Sequence, residues 1–228
     1  MHIIHARKIS KNWLFMEQLL DEIINETEYT AYFTGIKKLD ERVINAFLNV
    51  DRAKFVLDNE KTLAYADCPL PIGHGQTISQ PFIVVLMTQA LEVKPEHKVL
   101  EVGSGSGYQL AILAKLAREV YGIELIADLA KLAEKNLKKA GIKNAKVITG
   151  DGTEGLLEQA PFDRIMVTAA AREIPAKLIE QLKVGGIMVI PKSMTTYDQM
   201  LLRITKTDQH NIKIDNLLPV RFVPLVNS

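Results

Sequence analysis

The sequence predicts a Rossmann-like, doubly wound α/β fold: a mostly parallel seven-stranded sheet with an antiparallel C-terminal edge and extra N-terminal helices. Three observations predict it. An apolar strand pattern runs into a glycine loop and then a helix at Lys98-Val-Leu-Glu-Val-Gly-Ser-Gly-Ser-Gly. Strand and helix patterns alternate from there to Pro191, and beyond Pro191 strand patterns continue without helices between them. Alternation at this pace requires crossover connections, which are right-handed and build a parallel sheet covered on both faces. The 228 residues, 47% of them hydrophobic, suffice for one sizeable core.

Taken in order, the first eleven residues carry positive charge with His2 and His5, but Glu17, Gln18, Asp21 and Glu22 interrupt the apolar stretch that follows. Neither a secretory signal nor a membrane span is expected. The two histidines have no carboxylate or cysteine neighbour and read as solvated side chains, so no metal site is expected there. Trp13, Met16, Leu19, Leu20, Ile23 and Ile24 recur at helical spacing and predict an amphipathic helix over residues 12–25. A short helix follows over 40–47, with Asp40 as N-cap and Val43, Ile44 and Phe47 on its apolar side. Cys68-Pro-Leu-Pro-Ile-Gly-His-Gly crowds two prolines and two glycines into eight positions and reads as a shaped loop.

Ile83, Val84, Met87 and Leu91 predict a helix over 80–91, with Pro81 in its first turn. The strand at 98–102 and the helix at 108–117 then frame the glycine loop. Further strands are predicted over 119–125, 145–149, 162–168 and 186–191, with helices over 127–140 and 176–182. Residues 200–205, 212–214 and 220–226 read as short strands of an antiparallel edge. Residues 1–80 are read as a helical extension with a substrate-side loop and 81–228 as the ligand-binding domain, together one structural unit.

Twenty-eight Lys and Arg against 27 Asp and Glu give a net charge of +1. Overall charge therefore offers no attraction to nucleic acid or an anionic membrane, and neither is an expected partner. Cys68 is the only cysteine, which excludes an internal disulfide and suits a reducing cytoplasm.

In open α/β sheets a ligand sits beyond the carboxyl ends of the strands, where a glycine loop lets backbone approach it. Gly103, Gly105 and Gly107 occupy that place. A dinucleotide fingerprint would put its third glycine three positions after the second, where this chain has Tyr108. A dehydrogenase is disfavoured accordingly. Glu124 ends the second strand, where a carboxylate can accept hydrogen bonds from both ribose hydroxyls. Asp151 follows the third strand at the same sheet edge, placed to meet an adenine amino group. Either acid also suits a capping or turn role.

Val99-Leu-Glu-Val-Gly-Ser-Gly-Ser-Gly-Tyr, Gly150-Asp-Gly, Phe162-Asp-Arg-Ile-Met-Val-Thr-Ala-Ala and Leu182-Lys-Val-Gly-Gly resemble the ordered motifs of class I S-adenosylmethionine methyltransferases. More narrowly, Leu70-Pro-Ile-Gly-His-Gly-Gln-Thr-Ile-Ser-Gln-Pro and Val220-Arg-Phe-Val-Pro-Leu resemble the protein-L-isoaspartate O-methyltransferases. The resemblance implies S-adenosyl-L-methionine as cofactor, held by Ser79, Glu101, Gly103, Ser104, Gly105, Gly107, Glu124, Leu125, Asp151, Gly152 and Thr168. It implies isoaspartyl proteins and peptides as partners, met by Gln76, Thr77, Ile78 and Ser79, with a monomer or weak homodimer as the assembly. Two departures stand out. Asp51 replaces the family's proline before Arg52, and Lys192-Ser193 replaces its Val-Gly after Pro191.

The resemblance further implies methyl transfer to the free α-carboxylate of an isoaspartyl residue, followed by collapse of the ester to a succinimide. Ser79 matches the family's active-site serine and is read as positioning that carboxylate, although the same residue in the same place also suits an N-cap. His74 reads as a polar loop residue rather than a base. Two rival readings are an S-adenosylmethionine-binding adaptor without catalysis, its N-terminal helix recruiting a partner, and a methyltransferase for nucleic acid or a small metabolite.

Overall fold

A computed structural model describes residues 11–227. Its first element, α1 (Lys11–Thr34), runs nine residues beyond the expected end. Met16, Leu19, Ile23 and Thr27 form its buried face. The apolar pattern fades after Ile24 because threonines take over: Thr27, Thr30 and Thr34 return their hydroxyls to the carbonyls of Ile23, Glu26 and Thr30. Such residues pass unnoticed in a search for hydrophobic periodicity. α2 (Glu41–Leu48) starts as expected, with the Asp40 carboxylate accepting from Arg42 N.

The segment read as a loop contains a hairpin, β1 (Leu70–Gly73) and β2 (Gln76–Ile78). His74 and Gly75 form its turn with φ of 52° and 70°, both left-handed, as a two-residue turn between twisted strands demands. α3 (Pro81–Leu91) follows with Gln80 as its N-cap residue and no side-chain capping bond, so Ser79 is not the cap.

Next come β3 (Lys98–Val102), α4 (Tyr108–Ala114), β4 (Glu119–Glu124), α5 (Ala127–Lys139), β5 (Ala145–Thr149), β6 (Phe162–Val167), α6 (Ala176–Gln181), β7 (Leu182–Ser193), β8 (Gln199–Lys206) and β9 (Ile212–Val220). α4 stops three residues early because Asn144 Nδ2 draws the carbonyls of Ala114, Ala117 and Arg118 into a turn at 3.0 to 3.2 Å. The seven-stranded sheet has the order β5-β4-β3-β6-β7-β8-β9. β3, β4, β5, β6 and β7 are parallel, and β8 and β9 complete an antiparallel edge.

Two strand predictions at that edge are corrected. The strand expected at 212–214 extends to Val220, tolerating Pro219 through a register shift opposite Met200 and Leu202. The strand expected at 220–226 does not form. Instead Ala170 N donates to Val223 O and Leu225 N donates to Ala170 O, pinning this stretch to the loop after β6.

One core cluster joins Met16 and Leu19 of α1, Phe47 of α2, Leu86 of α3 and Leu217 of β9 with the face of the sheet carrying Val99 and Val189. The opposite face packs Leu100, Ile165 and Met188 with Leu178 of α6. β3 pairs with β4 on one side and β6 on the other, so the connections leaving β3 and β6 diverge. A crevice opens where they part, and that is where α/β sheets bind ligands.

Candidate active site

Gly103, directly after β3, has φ of +91°, and a Cβ there would lie 2.8 Å from Thr168 Oγ1. The Thr168 hydroxyl bonds the carbonyls of Gly103 at 2.6 Å and Val102 at 3.0 Å, tying the loops after β3 and β6 together. Gly107, at φ +87°, brings the start of α4 against the backbone of Ala133 in α5. The glycines thus shape the floor of a cavity and set the helix behind it.

The Glu124 carboxylate accepts from Gly105 N at 2.8 Å and from Ile126 N at 3.0 Å. It is a brace for the glycine loop, and each oxygen keeps a second lone pair for a ligand hydroxyl. Glu101 is 1% exposed and its Oε2 has no partner. Burial, and then the charge of Glu124, push its carboxyl well above the ordinary range.

Glu101, Ser104, Gly105, Glu124, Leu125, Gly152 and Thr168 line this one cavity together with Gln76, Thr77, Ile78 and Ser79. Sequence reasoning therefore gathered residues that the fold does bring together. Gly107 is an exception, lying outside the lining and packed against Ala133, and Asp151 is a partial one. Its carboxylate accepts from Thr153 N at 2.9 Å and Thr153 Oγ1 at 2.6 Å, capping a short helical turn, and the wall at this point is supplied by Gly152.

The hairpin closes one side. His74 Nε2 at its turn lies 3.7 Å from Asp128 Oδ2 at the start of α5, and Ile72 faces Gly105. The stretch 223–226, read from sequence as a strand, forms another wall. Lys192, one of the two departures, remains within β7 and donates to Ser193 O at 3.4 Å.

Sequence reasoning missed Arg52. It is fully buried, with Nη1 donating to the carbonyls of Ala64 and Ala66 and Nη2 to those of Cys68 at 2.8 Å and Ser79 at 3.1 Å. One guanidinium thereby clamps both ends of the hairpin. Set between Asp51 and Lys54 it looks like one charge among several on a solvated turn, and only the fold reveals what it holds.

The cavity suits a nucleoside bearing positive charge. Among the described residues, four buried side-chain polar atoms lack a partner, and three belong to residues lining it: Glu101 Oε2, Ser106 Oγ and Tyr108 OH. Among the described residues its only ionisable carboxylates are Glu101 and Glu124, and no Lys, Arg or His lines it. A dinucleotide diphosphate would meet repulsion here, whereas a sulfonium or ammonium group would offset the buried charge.

Glu101 also sets a pH dependence. Because its proton is held more tightly in the folded chain, its contribution is fully present below the ordinary carboxyl range. It is lost as pH rises through the raised value, since the unfolded chain ionises first. The ligand-free melting temperature of Glu101→Gln should therefore fall less between pH 5 and pH 8 than that of wild type. Parallel curves for the two proteins would show that Glu101 is not strained in this way.

The family model described as Protein-L-isoaspartate(D-aspartate) O-methyltransferase matches residues 30–228. The protein-L-isoaspartate O-methyltransferase 2 of Polaromonas sp. strain JS666 is 49% identical over 210 residues, 92% of this chain and 100% of its own length. The protein-L-isoaspartate O-methyltransferase of Ruegeria pomeroyi is 54% identical over 189 residues, 83% of this chain and 87% of its own. A crystal structure from Plasmodium falciparum, described as a protein-L-isoaspartate O-methyltransferase in complex with S-adenosyl-L-homocysteine, superposes with a TM-score of 0.78 at 30% identity. It covers 96% of this chain and 100% of its own.

Proposed function

Since the chain belongs to the protein-L-isoaspartate(D-aspartate) O-methyltransferase family and is an S-adenosylmethionine-dependent enzyme, we propose a division of labour in which the strand-tip cavity holds the donor and Ser79 holds the acceptor carboxylate. The reaction is methylation of the free α-carboxylate of L-isoaspartyl residues in damaged proteins and peptides, which starts repair through a succinimide. One observation carries the assignment of the site. The acidic cavity at the glycine loop and a second groove share Thr77, Ser79, Thr168 and Val223 as walls, which supports Ser79 as the residue where donor and acceptor would meet.

The donor supplies an electrophilic methyl group on a sulfonium. Glu124 is placed to accept from ribose hydroxyls while still bracing Gly105, and Glu101 to face positive charge on the donor. Gly152, packed directly against Val102 of β3, would flank the base, with Asp151 behind it. The acceptor carboxylate is ionised at neutral pH, so the chain needs no general base. Ser79 has the remaining task. Its hydroxyl engages no other described residue and is available to donate to one carboxylate oxygen, leaving the other in line with the methyl group. Alignment of this kind contributes about 7–11 kcal/mol in favourable cases. Once the ester forms, the following backbone nitrogen attacks it, methanol leaves and water opens the ring. Those steps need no side chain.

Residues 81–228 would carry the donor and residues 1–80 the acceptor side, within one structural unit. No helix among the described residues is long and apolar enough to cross a membrane. The single cysteine suits a cytoplasmic protein and the net charge of +1 one that acts without nucleic acid, and we propose a monomer or weak homodimer. The test is transfer of labelled methyl to an isoaspartyl peptide beside its aspartyl twin. Labelling of the first alone is expected, and equal labelling of both, or of neither, would refute the assignment.

A further inference from the structure

The groove beyond Ser79 is walled by α1, by the start of α3 and by residues 218–223 after the middle of β9. Among the described residues two ionisable side chains line it, Glu26 of α1 and Arg221 just past β9. Glu26 lies before residue 30, where the family match begins. Behind it stands Asp67, whose carboxylate is fixed by Gln80 Nε2 at 2.7 Å and Phe82 N at 2.8 Å. Asp67 therefore cannot turn away from its neighbour. α1 is itself anchored, since Met16, Leu19 and Ile23 are buried in the main core, so Glu26 is held at the groove rather than hung beside it.

We propose that Glu26 is a specificity-determining residue of the acceptor groove, favouring isoaspartyl peptides with a cationic side chain next to the damaged residue. This rests on the reading that Ser79 receives the acceptor carboxylate. With that carboxylate at Ser79, neighbouring residues of the acceptor must run along the groove Ser79 opens into, and a cation there meets a half-buried carboxyl. A half-buried site screens charge less than open surface does, so one unit of charge is felt. Burial first, then the charge of Asp67 and a hydrogen bond to it, push the Glu26 carboxyl up to about 7. The preference consequently belongs to the alkaline side of neutrality and fades as Glu26 takes up its proton. Asp67 and Arg221 are the charged groups that share its surroundings.

The experiment measures kcat/KM for three isoaspartyl peptides that differ only in the flanking residue, Lys, Ala or Glu, at pH 8.5 and pH 6. The flanking Lys and Glu keep their charges across this range. Wild type should prefer Lys over Glu by about fivefold at pH 8.5, in line with one partly screened charge pair, and by less at pH 6. Glu26→Lys should invert the preference at pH 8.5, and Glu26→Gln should bring the ratio near one. An inversion cannot arise from misfolding, which would lower all three rates together. Equal rates for Lys and Glu peptides in wild type, or an unchanged ratio in Glu26→Gln, would overturn the proposal. If wild type fails on the Ala-flanked peptide, the methyltransferase assignment itself falls, and this inference with it.

Discussion

Alanine at position 79 is expected to lower kcat by about 10²–10³-fold while S-adenosylmethionine affinity stays within about twofold of wild type. The expected split follows from what Ser79 does and does not hold. Its hydroxyl bonds no other described residue, and its main chain is fixed independently by Arg52. Removing the hydroxyl thus costs the scaffold nothing and takes away only the donor that would orient the acceptor carboxylate. Misorienting a reacting group is a loss confined to turnover. A direct binding titration paired with steady-state kinetics makes the measurement. Affinity falling in step with rate would assign the serine to the donor instead.

The second large effect is expected at a residue that lines neither groove but holds their shared wall in place. Arg52→Met should destabilise the protein by about 3 kcal/mol and abolish most activity. Methionine fills much of the space and relieves the cost of burying a guanidinium, which by itself would stabilise. Against this, the carbonyls of Ala64, Ala66, Cys68 and Ser79 lose their donors together, at about 1 kcal/mol or more each where they stay buried. The larger sum lies with the carbonyls. Arg52→Lys keeps the charge on a compact head that cannot span all four acceptors, and an intermediate loss is expected. Denaturant unfolding and kcat check both variants; a methionine variant as stable and active as wild type would show that the clamp is dispensable.

Much of the fold could be read from the sequence because its parallel strands and crossover helices have strong, separate periodicities. After Lys98, β3 is a run of apolar residues broken only by Glu101, and α5 alternates Leu129, Ala130, Ala133 and Leu137 with charges on its outer face. Legibility failed where something other than hydrophobic period sets the end of an element. The threonines of α1 continue a helix that hydrophobicity says has ended, and Asn144 ends α4 from thirty residues away. Residues 223–226 are apolar enough for a strand, yet the loop after β6 accepts them only as a short bridge.

The site divides in the same way. Glu124 and the glycine loop were legible because each follows a strand at a fixed sheet edge, and that edge is set by topology. Arg52 and Glu26 were not. Their roles depend on carbonyls and walls contributed by segments distant in sequence, for which residue type carries no signal. Ser79 lay between, with the residues around it suggesting a cap until the structure gave that position to Gln80.

The central claim is that a cationic nucleoside donor is gripped at the strand tips by the loop that Glu124 braces. Calorimetric titration of wild type and Glu124→Ala with S-adenosylmethionine addresses it most directly. Wild type should bind one equivalent with measurable heat, and Glu124→Ala should bind at least about 100-fold more weakly, having lost charge-assisted hydrogen bonds worth about 1.5–3 kcal/mol each. No heat from wild type, or equal affinity in the variant, would contradict the account.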